Sequence, residues 1–356
     1  MKTGKILQGL NGIMYGTKNI FLRATTESLQ PKWLWFGVTD RCNSRCVYCD
    51  IWHKKPTKDV LTPEEIEKTL RDPLFRDVEY ILNSGGEPTL RQDLKEIILA
   101  EHRALPKARL QLSTNGLLPE RVIDVVKFAI QHDIDLSVGT SLDAIGDAYD
   151  SIRGVNGNFR KVDWLLHELV ALKKEYGYKQ TPTFGFTLTD QTLPFLEEVK
   201  TYAQKLGVNS LVQWYNQSSF YGNTKKDLTD YNKSMIKAVQ SLPYGLLREM
   251  WLKWIEEGYP IKFRCFAMYT FCVLKCNGDI SPCLSLWDVK VGNVRESSPT
   301  TIWHSNEAKK ARKIIKKCQG CLNVWGAGWS LECSFYPYLL FYLNHPHNLV
   351  KKLTKK

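Results

Sequence analysis

Three cysteines fall within eight residues, Cys42-x3-Cys46-x2-Cys49, and the other seven of the ten lie beyond residue 264. Clustered thiols in a reducing compartment point to metal rather than to disulfides. Three thiolates from one short loop can hold a four-iron cube and leave one iron open to chelate a small molecule. A fourth cysteine would close the cube to everything but electron transfer. Zinc is the competing metal, with His53 as the nearby fourth ligand. Buried thiols acting as small apolar side chains are the metal-free alternative, and they suit Cys272 and Cys276 better than the first three.

The elements that must position these residues alternate regularly. Trp33–Thr39, WLWFGVT, reads as a buried strand that delivers the first cysteine loop. Thr62-Pro63-Glu64-Glu65 starts a helix, with Thr62 as N-cap, Pro63 at the first position and Glu65 closing a capping box. A strand over 79–84 runs into Gly85-Gly86. Helix 91–103, strand 109–114, helix 119–132, strand 134–141, helix 158–175, strand 183–189, helix 192–206 and strand 208–215 follow. Strands alternating with amphipathic helices imply a parallel sheet, and six such units predict an α/β chain folded as a partial (βα)6 TIM-like barrel. Chemistry in such barrels sits at the C-terminal ends of the strands. Cys42–Cys49, Gly85–Pro88, Ser113–Asn115 and Ser141–Asp143 each follow a predicted strand, so they are expected to meet on one face. From 220 to 262 the pattern turns to polar helix with Trp251 and Trp254. Beyond it, Asn277-Gly278 between Phe271–Cys276 and Asp279–Leu284 is a hairpin signal, and a basic helix spans about 300–316.

Cys42-Asn43-Ser44-Arg45-Cys46-Val47-Tyr48-Cys49 resembles the signature of the radical S-adenosylmethionine (SAM) superfamily, including the aromatic Tyr48 before the last cysteine. Further motifs match in order: Gly85-Gly86-Glu87-Pro88, Ser113-Thr114-Asn115-Gly116, and Ser141-Leu142-Asp143 followed by Ile152-Arg153-Gly154. The resemblance covers about residues 33–215. It implies a [4Fe–4S] cluster on Cys42, Cys46 and Cys49. An external one-electron donor such as flavodoxin or ferredoxin would reduce it, and S-adenosyl-L-methionine would be cleaved to a 5′-deoxyadenosyl radical that abstracts hydrogen from substrate. It also implies that Gly85, Gly86 and Glu87 hold the methionine amino group and that Asn115 lies near the cofactor. Ser141 and Arg153 would serve the carboxylate, with Arg160 as the rival cation, and Asp143 the ribose hydroxyls. The chemistry is consistent: a zwitterion needs an anion, a cation and the close backbone approach that glycine permits.

The late cysteines resemble the SPASM/twitch extension of this superfamily. Cys265, Gly278-x4-Cys283 and Cys318-x2-Cys321 fit the twitch pattern, which implies one auxiliary [4Fe–4S] cluster. A full SPASM pattern, with two, needs cysteines where Ala327 and Leu331 stand; Cys272, Cys276 and Cys333 leave a second cluster open. The expected organisation is an N-terminal extension (1–32), a radical SAM core (33–225), a helical linker (226–262), a small cysteine-rich C-terminal twitch/SPASM-like domain (263–334) and a basic amphipathic tail (335–356). The implied reaction is an oxidation or epimerisation of a small or lipid-linked substrate. A peptide-modifying maturase is the alternative within the superfamily; residues 1–32 are short for the winged-helix recognition unit such enzymes commonly carry. From another class, the alternative is a non-catalytic, metal-stapled binding module.

Net charge is +12, with Lys309, Lys310, Arg312, Lys313, Lys316 and Lys317 in one stretch. No nucleic-acid motif accompanies them, so no nucleic acid is expected and a solvated helix face is the plain reading. No apolar run is long enough to span a membrane and no secretory signal is recognisable, so the expected location is cytoplasmic. Phe335–Leu343, FYPYLLFYL, precedes a KKLTKK tail, and Lys2, Lys5 and Lys18 accompany Ile6, Leu7, Leu10, Ile13 and Met14. Both ends suit peripheral contact with the inner membrane surface; packing of both on the barrel is the competing expectation.

Overall fold

The computed structural model describes residues 30–177, 180–226, 233–242, 246–257, 264–318 and 324–333. The chain ends, Cys321 and part of the expected linker lie outside these residues. The six predicted strands form as β1 (Trp33–Thr39), β2 (Tyr80–Gly85), β3 (Arg109–Ser113), β4 (Leu136–Ser141), β5 (Thr183–Leu188) and β6 (Asn209–Trp214). Each pairs in parallel with the next. Leu34, Phe36 and Val38 of β1 join the core under the helices, whereas Trp35 packs in a separate cluster with Phe220 and Phe271. That split is the period-2 alternation of a strand buried on both faces.

The hairpin at Asn277-Gly278 forms between β7 (Phe271–Leu274) and β8 (Asp279–Ser281), followed by β9 (Gly292–Asn293). β7 lies parallel to β1, Trp33 opposite Phe271 and Phe36 opposite Leu274. The sheet therefore runs β6-β5-β4-β3-β2-β1-β7-β8-β9. Strands on either side of the expected linker share one sheet. Cys272 stands fully buried in β7 within the main core, as an apolar side chain would.

The capping box at Thr62 forms, Thr62 accepting from Glu65 N and Glu65 from Thr62 N. Two differences from the sequence reading have local causes. The helix expected over 300–316 is two, Pro299–His304 and Asn306–Lys317, because Ser305 ends the first and caps the second through Ala308 N. Arg312 is not on a solvated face. It is 1% exposed, donates to the carbonyls of Met268 and Trp303, and lies over the Trp303 ring. No helix among the described residues is long and apolar enough to cross a membrane.

One buried acid has no part in the strand-tip chemistry. Glu101, on the helix Leu94–Ala104, is fully buried and receives one hydrogen bond, from Asn83 Nδ2 at 2.8 Å. Its Oε1 and the Oδ1 of Asn83 both lack partners, and a proton on Glu101 Oε1 would give Asn83 Oδ1 the donor it needs. Burial pushes this carboxyl up from 4.5 to about 8. The folded state then holds a proton that the unfolded state has released between those values, so stability is full below the lower value and falls as pH rises through the upper one. Glu101→Gln carries that hydrogen permanently. It is expected to flatten the pH dependence, gaining on wild type by about 1.4 kcal/mol per pH unit within the window. Urea titrations of both proteins at the two ends of the window measure it; parallel pH profiles would refute it.

Candidate functional site

The cysteine loop leaves β1 at Thr39 and is held by three neighbours. At the tip of β2, Gly86 N donates to Thr39 O and Glu87 N to Arg41 O, both at 2.7 Å. A Cβ on Gly86 would stand 2.1 Å from Arg41 O, and one on Gly85 (φ +125°) 2.2 Å from Thr39 O. The glycine pair is thus required for strand-to-loop contact. From the helix Gly146–Arg153, the carbonyls of Arg153 and Ile152 accept from Arg45 N and Val47 N. The segment after β6 closes the third side: Asn223 Nδ2 donates to Tyr48 O and Lys226 Nζ to Val47 O. Asn223 and Lys226 carry no motif, and the position of their segment after a barrel strand is the one sequence signal for this clamp.

Cys42, Cys46 and Cys49 line one cavity of about 220 Å³. Burial pushes Cys42 up to about 11 and Cys49 up to about 12, and the neighbouring thiols add to both. An incoming metal must displace those protons, since the thiolate is the ligand. Ser44 Oγ lies 3.2 Å from Cys46 Sγ, Arg153 Nη1 donates to the same sulfur at 3.5 Å, and Asn115 Nδ2 reaches Cys42 Sγ at 3.9 Å. Among the described residues no three His, Cys, Asp or Glu side chains converge on a single ion; thiolates around a cube stand wider apart than the ligands of one ion. Cys265, Cys283 and Cys318 gather as a second set, for the charges of Cys265 and Cys318 both act on Cys283, which burial pushes up to about 12. Cys333 is buried beside Thr270.

Glu87 is 1% exposed at the cavity wall. Its Oε1 accepts from Thr89 N, Thr89 Oγ1 and Thr114 Oγ1, and its Oε2 from Asn115 N at 2.6 Å. Burial raises this carboxyl above its usual range despite those donors. A carboxylate offers about four lone pairs, two on each oxygen, so Oε2 retains one. Asn115 lines the same wall but is engaged by Glu87, Asn43 and Leu117.

Asp143 is fully buried and does not line the cavity. It accepts from Tyr48 Oη at 2.8 Å, from Thr187 N at 2.7 Å and from Arg153 Nη2. Arg153 lines the cavity, stacked between the rings of Tyr48 and Tyr149, and its Nε is buried without a partner. Asp143 holds the guanidinium well above its ordinary value against the opposing effect of burial. Ser141, at the end of β4, lines the cavity too. The structure therefore gathers Cys42, Cys46, Cys49, Tyr48, Gly85, Gly86, Glu87, Asn115, Ser141 and Arg153 at one site, with Asp143 behind it.

Two family models match: radical SAM superfamily over residues 37–199 and iron-sulfur cluster-binding domain (SPASM) over residues 265–322. A probable GTP 3′,8-cyclase of Methanococcus aeolicus is 28% identical over 266 residues, covering 71% of this chain and 85% of the relative. Two solved structures share the fold with a TM-score of 0.60. Streptococcus suis SuiB bound to S-adenosylmethionine is 18% identical, covering 88% of this chain and 74% of its own. Native anSMEcpe with bound AdoMet is 19% identical, covering 90% and 100%.

Proposed function

Because the chain is a radical SAM superfamily enzyme that carries a SPASM iron–sulfur domain, we propose that its strand-tip cavity binds S-adenosylmethionine against a [4Fe–4S] cluster on Cys42, Cys46 and Cys49. The observation that carries this reading is the meeting of three thiols with one open carboxylate position on Glu87 in a single cavity. With a cluster held by Cys42, Cys46 and Cys49 and an external one-electron donor, the site would have the electron needed for reductive cleavage of the sulfonium bond to a 5′-deoxyadenosyl radical, and Cys265, Cys283, Cys318 and Cys321 would hold a second cluster able to accept an electron. Glu87 Oε2 accepts from the methionine ammonium. Ser141 offers its hydroxyl to the carboxylate. Arg153, already engaged by Asp143 and Cys46, sets a fixed positive charge beside the Cys46 sulfur, and Asp143 positions Arg153 and Tyr48 in place of meeting the ribose. Hydrogen abstraction from a small substrate, followed by oxidation or epimerisation, is the reaction class.

The test is anaerobic reconstitution with iron and sulfide, reduction with dithionite and addition of S-adenosylmethionine. Formation of 5′-deoxyadenosine supports the reading; a colourless zinc protein that forms none belongs with the metal-stapled binding modules. Glu87→Gln keeps the shape of the side chain and removes its charge. It is expected to weaken S-adenosylmethionine binding by about 1.5–3 kcal/mol, the worth of a hydrogen bond to a charged group. Equal affinities by calorimetric titration would remove Glu87 from the cofactor site.

A further inference from the structure

Beyond the cofactor motifs, the cavity wall carries a second set of polar side chains, and none of them is ionised. Glu87 and Arg153 are the only carboxylate and basic side chains among the described lining residues; the open position on Glu87 is the one assigned to the methionine ammonium, and Arg153 is paired with Asp143. Apart from the three thiols and the tryptophan indoles, the remaining polar side chains among the described lining residues are carboxamides and hydroxyls.

Two of the carboxamides are placed in the same unusual way. Gln111 of β3 lies across Gly139 of β4: a Cβ there would stand 2.8 Å from Gln111 Nε2. Gln213 of β6 lies across Gly185 of β5, where a Cβ would stand 3.5 Å from its Nε2. Each glutamine is laid over a bare stretch of the neighbouring strand. One end of each amide is tied, Gln111 Oε1 by Tyr80 Oη and Gln213 Nε2 by Thr187 Oγ1 at 3.0 Å. The other ends, Gln111 Nε2 and Gln213 Oε1, have no partner among the described residues. Asn216 Nδ2, buried at the same wall, has none either. Trp35 and Trp325 add a rigid apolar surface, Trp35 wedged edge-on against Phe220 at 5.0 Å and Trp287 at 5.9 Å. Fixed amides beside flat aromatic rings are the furniture of a site for a neutral hydroxylated ring, whose oxygens need both donors and acceptors and whose C–H faces are apolar. A triphosphate asks for the opposite, a cluster of cations or backbone N–H groups.

We propose that the substrate is an uncharged, polyhydroxylated, sugar-like ring held by Gln111, Gln213 and Asn216 against Trp35 and Trp325, and that this cavity does not accept a nucleoside triphosphate. The proposal rests on the reading of the adjacent wall as the S-adenosylmethionine site, and it separates this chain from the activity named for its cyclase relative.

The test is calorimetric titration of the reconstituted holoenzyme, loaded with S-adenosylmethionine and left unreduced, with methyl glucopyranoside, myo-inositol, GTP and a short capped neutral peptide. The expected result is binding of a polyol at millimolar concentration or below and no heat with GTP, with Gln111→Leu and Gln213→Leu each weakening the polyol by roughly three- to tenfold. S-adenosylmethionine affinity on the same samples reports whether a variant is still folded, and Gln111→Asn, which shortens the reach but keeps the amide, is the second variant should Gln111→Leu not fold. GTP binding more tightly than the polyols, peptide binding in their place, no polyol binding, or unchanged polyol affinity in folded variants would each overturn the proposal. Formation of 5′-deoxyadenosine by the same preparation keeps these failures apart: if it forms, only the substrate assignment falls.

Discussion

Replacing Cys42, Cys46 and Cys49 together with alanine is expected to remove about four irons and to abolish 5′-deoxyadenosine formation, because that one loop supplies every protein ligand of the cube. The loop should keep its path without the thiols. Its backbone is tied to Gly86 and Glu87, to the Arg153 and Ile152 carbonyls, and to Asn223 and Lys226, and none of these bonds involves sulfur. The late set is untouched, so wild type should hold about eight irons and the triple variant about four. Iron and sulfide analysis with electron paramagnetic resonance reads both. A triple variant that still cleaves the cofactor would sink the assignment of the first cluster. A wild type that saturates at about four irons, with an iron-free variant, would sink the auxiliary one, and about twelve would return Cys272, Cys276 and Cys333 to consideration.

Asp143→Ala should destabilise the fold by about 3–5 kcal/mol, the usual consequence of leaving a buried charge without its partner. Arg153 is 5% exposed and the Asp143 carboxylate is its ion-pair partner. The same substitution strands Tyr48 Oη and Thr187 N, both buried donors. Denaturant unfolding of the apoprotein measures the loss without any cofactor. A purely ribose-binding Asp143 would leave apoprotein stability unchanged and alter only cofactor affinity, so the two roles give opposite results. Asp143→Ala combined with Arg153→Met should recover part of the loss, since an apolar pair can replace a buried ion pair at little cost.

What the sequence made legible follows from local rules. Hydrophobic periodicity located the six parallel strands within a residue or two of their observed bounds, and strand order then placed four motifs on one edge. Thr62 and Glu65 announced a helix start that formed as expected. What stayed hidden depends on partners distant in sequence. Asp143 looked available because nothing local reveals that Tyr48 and Thr187, one far before it and one well after, both donate to it. Gly85 and Gly86 suggested close approach of a ligand, whereas the atoms they make room for include Thr39 O and Arg41 O. Gln111 sits in the ordinary alternation of RLQLS, and only the bare Gly139 on the next strand gives its amide a function. Arg312 read as one more solvated cation until the carbonyls of Met268 and Trp303 enclosed it.

The place of β7 beside β1 has a consequence for how the molecule is made. On a ribosome β1 emerges before the other five parallel strands and β7 only after them. Until then WLWFGVT presents an unpaired apolar edge, the kind of surface that invites pairing with another chain. Parallel partners so far apart in sequence close late and slowly. The nascent barrel thus passes through a period in which its first cysteine loop is complete while the flank beside it is still open. Iron and sulfide delivered in that interval would meet Cys42, Cys46 and Cys49 before Cys265, Cys283 and Cys318 had been translated.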